Sequence, residues 1–533
     1  MPAGAVRGIT EAFSISFAKL DDASRKTARI LAQLAPAAPI PNEFVDALPD
    51  DLKSPAVRAS LHSRHFVTAA EGLSFGVMHR LAADFLRTTI AESEADLLAE
   101  TSRALLRVMT PERCRDPQHW NVMNLCRPHA ESLLDRAEDH PDSVTLTTKL
   151  ALLTANLDFD QGNLARAMRL QERVLAICER LLGEDHACTL ASMTNLACTL
   201  LAQGNLAGAH LLHERLLFAH KRLVGEDHPA TLTSMNNLAL TLSEQGNHAR
   251  ARLLQERVLA VITRLLGEDH PAALTSMNNL CGTLCDQGDY ARARPLQERA
   301  LAGFKRILGE EHPDTLTTMN NLADTLRVQG DLAGARLLQE RAVAVITRLL
   351  GEEHPLTLAT MNNLALILGA QGDLGGAHLL QERALAAEKR LLGEEHPNTL
   401  RSKDNFVGNL RAQGDLAGAL RLAESVLATR KRLLGEEHPD TLRSIGNLAG
   451  IRYDLGEMTA AIRLLRRCLA GRRKILGENH PDTLETATSL KSLEFLAESV
   501  ASSPATDTPT ETPLRRTFAA FFRKRQRQLP KRS

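Results

Sequence analysis

One histidine position recurs through most of this chain with a period of 42 residues. Imidazole is a common zinc ligand, but the ligands of one zinc ion lie within about 4 Å of each other. Equivalent atoms on stacked layers of helices are separated by roughly 8–10 Å or more. We therefore expect no metal site and no cofactor, and expect each histidine to cap the helix that follows it. The histidines are His186, His228, His270, His312, His354, His396, His438 and His480.

Asparagine recurs with the same period and forms a second ladder. A side-chain amide both donates and accepts hydrogen bonds, so a row of amides can bind the main chain of an extended peptide largely independently of its sequence. The alternative is that each amide bonds a neighbouring helix. We favour peptide binding, and the predicted contacts are Asn195, Asn237, Asn279, Asn321, Asn363, Asn405 and Asn447.

Arginine stands four residues before the ladder asparagine in two successive copies, at Arg401 and Arg443, where earlier copies carry Ala or Thr. A guanidinium group pairs bidentately with a carboxylate. We interpret the two arginines as a clamp for an acidic group of the partner, to which Arg411 adds. Solvated surface arginines are the alternative.

The elements that must position these residues are visible in the copy from His228 to Gly267. Pro229 suits the first turn of a helix, and apolar residues then recur at three- and four-residue steps to about Gln245. Gly246-Asn247 ends this helix A, and helix B follows from about His248 to Leu266. Each helix carries an apolar stripe that only neighbours can cover. Consecutive pairs should therefore stack into an all-α superhelix with helix A facing inward.

The phrases Leu-Gly-Glu-Glu-His-Pro, Met-Asn-Asn-Leu-Ala and Gln-Gly-Asp-Leu-Ala-Gly-Ala resemble the 42-residue tetratricopeptide variant of kinesin light chains and of many bacterial signalling proteins. The resemblance covers about residues 144–500. It implies an all-α, right-handed tetratricopeptide superhelical solenoid of about eight helix pairs, closed by a capping helix from Pro481 to about Val500. It also implies a protein or peptide ligand in the concave groove. The first pair is irregular, because His140-Pro141 lies four residues further from its turn than in later copies.

Residues 1–140 lack the period. We predict helices over 21–34, 42–48 and 55–65, with a break between the first two helices at Ile40-Pro41. Two short β runs, 66–68 and 73–77, then form a hairpin. This outline resembles the winged-helix segment that ends the nucleotide-binding core of STAND-type ATPases of the NB-ARC kind. The resemblance implies a small winged-helix-like domain at 1–90 and a helical connector at 91–143.

The same resemblance implies that His79 contacts a nucleotide phosphate, because residues 77–81 fall where the family carries its Met-His-Asp motif. Arg80 stands in place of the family's Asp, and the chain has no Gly-x-x-x-x-Gly-Lys-Ser/Thr loop to cradle phosphates. Without that loop there is nothing to hydrolyse a nucleotide with. We therefore expect no enzymatic activity. The alternative is the C-terminal part of a switch ATPase whose nucleotide site is completed by another chain.

The C-terminus differs in composition from the array. Residues 501–514 are rich in Ser, Thr and Pro, which is typical of a disordered linker. The tail at 515–533 holds eight Lys/Arg and no acid, which leaves 56 basic against 64 acidic residues in the rest of the chain. Phe518, Phe521 and Phe522 lie among the basic residues. The tail suits an anionic membrane surface, or an acidic surface such as the array itself, or plain disorder.

Eight scattered cysteines without a metal or disulfide pattern indicate free thiols in a reducing cytosol. We find no signal peptide and no apolar run of about 18 residues, so we expect a cytoplasmic protein. The charge of the predicted winged helix is ordinary, so a nucleic-acid partner is not expected. The sequence thus predicts a non-enzymatic protein–protein interaction scaffold, the sensor half of a STAND-like signalling system.

Overall fold

The computed structural model describes residues 3–88, 94–137 and 143–502, which divide into two compact units, Met1–Ala202 and Gln203–Ser533. Residues 501 and 502 of the predicted linker belong to the last helix of the described chain, whereas the rest of the linker, the basic tail and His140-Pro141 lie outside the described residues. None of the described helices combines the length and apolar character needed to cross a bilayer. In the first unit the elements are α1 Ala3–Ala18, α2 Asp22–Ala32, β1 Pro39–Pro41, α3 Asn42–Asp46, α4 Pro55–Ser63, β2 Ser74–Val77, α5 Arg80–Thr88, α6 Glu94–Val108, α7 Pro111–Arg115, a 3-10 turn Pro117–His119, α8 Trp120–Ala137, α9 Val144–Asp160, α10 Leu164–Leu182 and α11 Ala187–Ala202.

The strand pairing of the first unit adds to two predictions. The break between helices at Ile40-Pro41 is present, since α2 ends at Ala32 and α3 begins at Asn42, but these residues also form β1, which was not predicted and which pairs antiparallel with β2. The side chain of Ile40 is buried, and a short edge strand tolerates the flanking prolines, whose missing N–H groups are not needed there. The predicted run at 66–68 contributes only a single bridge, in which Thr68 and Val77 exchange two 2.9 Å backbone bonds.

The helix α8 packs beside β1 through a buried histidine. The side chain of His129 is fully buried, accepts a 3.2 Å hydrogen bond from the Ala35 N–H and contacts the Pro39 carbonyl at 3.0 Å. Burial lowers the pKa of His129 to about 4. The imidazole is therefore neutral at physiological pH, with Nε2 as the donor to Pro39. This part of the predicted connector is thus joined to the core of the N-terminal region.

The second unit consists of helices joined by short turns. Its elements are α12 Leu206–Val224, α13 Pro229–Glu244, α14 His248–Leu266, α15 Pro271–Asp286, α16 Tyr290–Leu308, α17 Pro313–Gln329, α18 Leu332–Leu350, α19 Pro355–Gln371, α20 Leu374–Leu392, α21 Pro397–Gln413, α22 Leu416–Leu434, α23 Pro439–Asp454, α24 Met458–Leu476 and α25 Pro481–Ser502. Helices A and B alternate as predicted.

The turns between repeats share a left-handed glycine and a histidine cap, and four of them add a threonine hydrogen bond. Gly225 ends α12 at a φ of +92°, which favours glycine. The N–H of Ala230 then donates to Nδ1 of His228 at 3.2 Å, and the hydroxyl of Thr231 donates to the Gly225 carbonyl at 2.6 Å. The histidine therefore caps the following helix, as its ladder predicted, because its ring nitrogen accepts from an N–H group that has no partner within the helix.

Successive layers are joined by polar contacts on their edges. Arg306 pairs with Asp269 of the preceding turn at 2.7 Å, and Arg348 pairs with Glu311 in the same way. The amide of Gln245 donates to the Leu206 carbonyl at 3.2 Å, again from one layer to the preceding one. The basic residues that close the B helices are thus engaged by acids of neighbouring turns.

The A helices lie on the inner side of the second unit's curvature. Consecutive A helices contact one another directly, for example α17 with α19 and α19 with α21. The curvature brings distant turns together. The His480 ring donates from Nε2 to the Glu244 carbonyl at 3.3 Å, 236 residues away in the chain. Gly204 and Gly246 lie so close to Pro439 and His480 that an added Cβ would come within 2.5 and 2.7 Å of them.

Candidate peptide-binding groove

The asparagine ladder lies on the A helices. Asn195 is on α11 in the first unit, and the other six are on α13, α15, α17, α19, α21 and α23. Most of these side chains are half-buried, whereas Asn363 is exposed and Asn405 is buried. Most of the ladder therefore borders the apolar core instead of belonging to it.

One member of the ladder bonds a neighbouring layer. The amide Nδ2 of Asn321 donates to Oδ1 of Asn278 at 3.3 Å. Within the described part of the chain, Oδ1 of Asn405 is buried without a hydrogen-bond partner. The ladder thus holds both an amide used between layers, which was the alternative interpretation, and one with spare hydrogen-bonding capacity.

The three candidate arginines lie beside carboxylates. Arg443, whose side chain is 21% exposed, pairs with Asp440 at 2.7 Å, and Arg411 pairs with Asp454. Burial lowers the pKa of Arg401, while the nearby Glu388 acts in the opposite direction. Any acidic group of a partner must therefore exchange with a carboxylate that is already present.

The Arg443–Asp440 pair belongs to a dense set of charges. Burial alone would raise the pKa of Asp440, but Arg443 and Arg430 outweigh burial and hold it at about 2. Arg430 also pairs with the buried Asp404. Asp440 is thus ionised at any physiological pH, and the charges of α21, α22 and α23 form one network.

A set of buried or half-buried polar residues that the sequence analysis missed lies at one position of the B helices. Three of its members bond a hydroxyl 14 residues further along the chain, in the next A helix. The hydrogen-bonded pairs are His220 with Ser234 at 2.7 Å, Arg430 with Ser444 at 2.6 Å and Arg472 with Thr486 at 2.7 Å. The available signal was a polar residue where other copies carry Ile262, Phe304 or Ile346.

Glu388 is the acidic member of this set and is almost completely buried. Burial raises its pKa to about 7, although a hydrogen bond with Ser402 and the charge of Arg401 act in the opposite direction. Asn362 donates to the Ser402 hydroxyl at 2.7 Å and extends the network into α19. Glu388 therefore changes charge near neutral pH, on α20, which lies between two A helices that carry ladder asparagines.

His79 lies at the start of α5 and is exposed. Its Nδ1 accepts a 3.2 Å hydrogen bond from the Leu81 N–H, so the ring caps this helix. In the described residues no three His, Cys, Asp or Glu side chains cluster in a way that could hold a metal ion.

Two tetratricopeptide-repeat family models match the chain, one at residues 146–217, 272–345 and 320–390 and the other at 231–272, 399–440 and 441–482. A search of curated proteins gave no match. The chain is similar to the crystal structure of a Podosopora anserina putative kinesin light chain with nearly identical TPR-like repeats. The identity is 31%, over 38% of this chain and 97% of that one, with a TM-score of 0.34.

Two further solved structures are similar at lower identity. A STAND protein with a tetratricopeptide-repeat sensor from Pyrococcus horikoshii is 14% identical over 88% of this chain and 66% of that chain, with a TM-score of 0.49. A Rap protein complexed with Competence and Sporulation Factor is 13% identical over 66% of this chain and 91% of that chain, with a TM-score of 0.44. Because the two family models together match more than half of its residues, the chain belongs to the tetratricopeptide-repeat family.

Proposed function

We propose that the array is a non-enzymatic scaffold that binds an extended segment of a protein partner along the inner side of the A helices. The observation that carries this proposal is the row of half-buried amides at one position of successive A helices. Amides in register on stacked helices match the repeated donors and acceptors of a peptide main chain. Side chains that border a core without filling it can contact a ligand at small cost to stability.

The arginines give the groove a chemical preference. The charge of Arg443 helps to lower the pKa of Arg401, so the two guanidinium groups lie near each other, and Arg443 remains partly exposed beside Asp440. A carboxylate of the partner would replace Asp440 or Glu388 as their counter-ion, with Arg411 further along α21. Acidic segments are therefore the preferred ligands, and salt weakens their binding.

Dodecapeptides selected on the purified chain from a random display library provide the probe. We expect Asn321→Ala with Asn363→Ala to weaken the binding of the selected peptides roughly tenfold, the scale of one or two lost hydrogen bonds. Fluorescence titration at low and moderate salt measures the affinity. Asn278→Ala is the matched control, because it removes the same bond between layers from a residue outside the ladder.

The arginines are tested with the same peptides. Arg401→Gln with Arg443→Gln should abolish any preference for acidic over amidated versions of one peptide, and thermal unfolding reports whether the array is intact. The groove interpretation is wrong if the ladder variant binds the peptides as tightly as the Asn278→Ala control.

We also propose that the chain is the sensor part of a STAND-like system in the cytoplasm. The strands β1 and β2, followed by the exposed His79 before α5, support a winged-helix-like region that another chain could contact. None of the eight cysteines, all of which lie in the described residues, forms a disulfide, and six of them are buried, which suits a reducing compartment.

A further inference from the structure

A row of leucines is exposed on the B helices of the second unit. They occupy the same position of α12, α14, α18 and α20, with Pro295 at this position of α16. Exposed leucines are ordinarily scattered singly, and leucines in register on successive B helices form an apolar strip, here interrupted by Pro295. We call this strip the leucine row. Its members and their exposed fractions are Leu211, 61%, Leu253, 61%, Leu337, 71%, and Leu379, 58%.

Glutamates border the leucine row. They lie three residues after the row position, so each falls about one helical turn away on the same face. Each pairs with an Arg or His four residues before it, and its side chain stays about half exposed. They are Glu214, Glu256, Glu298 and Glu340, at 3.1, 3.4, 2.8 and 2.7 Å from their partners. An apolar strip edged by accessible carboxylates fits a segment that is both apolar and basic.

We propose that the leucine row is the docking surface for the chain's own C-terminal residues 515–533. This segment carries eight basic residues and no acid, and Phe518, Phe521 and Phe522 lie among them. The phenylalanines supply apolar surface for the leucines, and the flanking arginines and lysines approach the glutamates. The rest of the chain has eight more acids than bases, so long-range electrostatic forces also attract the basic segment to it.

The geometry favours this occupant over a second copy of the array. The B helices lie on the outer side of the curvature, and two convex surfaces touch over few layers, whereas a short segment can follow one convex strip. The segment is also tethered. Gly246, which precedes α14 and its Leu253, lies against Pro481, the first residue of α25. The 12 residues between Ser502, at the other end of α25, and the tail can extend to about 40 Å, which is longer than the roughly 33 Å of α25 itself.

Docking is confined to the middle of the array. The two layers nearest the C-terminus, α22 and α24, carry Arg421 and Arg463 at the row position. These cations repel a basic segment, so the tail passes them and binds between α12 and α20. Tethering supplies an effective concentration on the order of millimolar, so even a weak contact is populated.

Limited trypsin digestion of the full chain tests the proposal, because docking shields the Arg and Lys bonds of 515–533. We expect Leu337→Gln with Leu379→Gln to raise the rate of tail cleavage roughly tenfold, the scale of two lost apolar contacts. The control is Leu349→Gln with Leu433→Gln, the same change at exposed leucines outside the row. Equal cleavage rates in the two variants overturn the proposal.

A labelled peptide of residues 512–533, titrated onto the chain that ends at residue 514, tests docking without the tether. Binding that weakens with salt and is lost when the three phenylalanines are changed to serine supports the proposal. The proposal fails if the peptide binds anionic phosphatidylserine vesicles but not the chain. It also fails if sedimentation shows a dimer that the row variant dissociates, because a second copy is then the occupant.

Discussion

Glu388 shows how a single residue sets a property that the repeat pattern does not reveal. Three other copies place Ile or Phe at its position, and those side chains need no partner in the core. Glu388 instead requires the Ser402 hydroxyl, and burial still raises its pKa to about 7. Buried acids of this kind make stability depend on pH, because the folded and unfolded chains then bind different numbers of protons.

Replacing this carboxyl by an amide should stabilise the array at alkaline pH. The pKa of Glu388 is raised from 4.5 to about 7 on folding, so between these values the folded chain holds a proton that the unfolded chain releases. Its contribution to the free energy of unfolding therefore falls as pH rises through this window and is lowest above pH 7. We expect Glu388→Gln to raise the free energy of unfolding by ~1–3 kcal/mol at pH 8 relative to its effect at pH 5.

Denaturant unfolding at the two pH values measures this difference. The exposed Glu382 on the same helix provides the control variant Glu382→Gln, for which no such pH-dependent gain is expected. A Glu388→Gln effect that is the same at pH 5 and pH 8 would contradict the proton linkage.

At the scale of elements, the turns of the array share a sequence but not an environment. Gly246 and Gly288 end successive A helices with φ values of +75° and +77°. An added Cβ would meet no atom within 4 Å at Gly288. At Gly246 it would come within 2.7 Å of the His480 ring and 2.9 Å of Pro481. A substitution at Gly288 therefore has only the backbone strain of a side chain, whereas the same substitution at Gly246 also disturbs the contact with α25.

We expect Gly246→Ala to destabilise the second unit more than Gly288→Ala does. Both variants incur the strain of a left-handed backbone, on the order of 1 kcal/mol, and only the first disturbs the contact between distant turns. Thermal unfolding gives the stability difference, and small-angle scattering shows whether the unit expands. Equal losses in the two variants would mean that the contact with His480 and Pro481 contributes nothing to stability.

The periodic elements could be predicted well from the sequence because each repeat contains residues that mark the ends of its helices. Pro229 and Gly267 bracket a helix pair in the structure as they do in the pattern, since proline suits a first turn and glycine an end. Outside the array such signals are few. Ile40-Pro41 reads as a break, and its role as a strand depends on β2, which lies more than 30 residues away and which local patterning cannot show.

The ladders were also only partly predictable. The period places Asn321 at a fixed point on its helix, yet its bond to Asn278 depends on the side-chain geometry of two layers. The arginine positions were clear, but Asp440, three residues before Arg443, becomes its partner only when both lie on one helix face. Pairing across layers and turns follows from superhelical curvature, which the sequence does not state.

At the scale of the molecule, each layer of a solenoid covers the apolar surface of its neighbour, and the last layer needs a cover of its own. Helix α25 supplies it. Leu490, Leu493 and Leu496 are buried against α24, where they cover Leu465 and Leu469. The C-terminal helix should therefore stabilise the whole array through coupling between layers, in addition to its own contacts.

Truncation tests this role. We expect removal of residues 481–533 to lower the melting temperature by several degrees and to promote aggregation. It leaves Leu465 and Leu469 in water, and burial of each large apolar side chain contributes about 1.5–3 kcal/mol. Removal of 515–533 alone leaves that cover in place and should change the melting temperature little. Calorimetry and light scattering on the two truncated chains compare them directly. If both melt and aggregate alike, α25 is not the cover of the last layer, and the end of the array must be stabilised by other contacts.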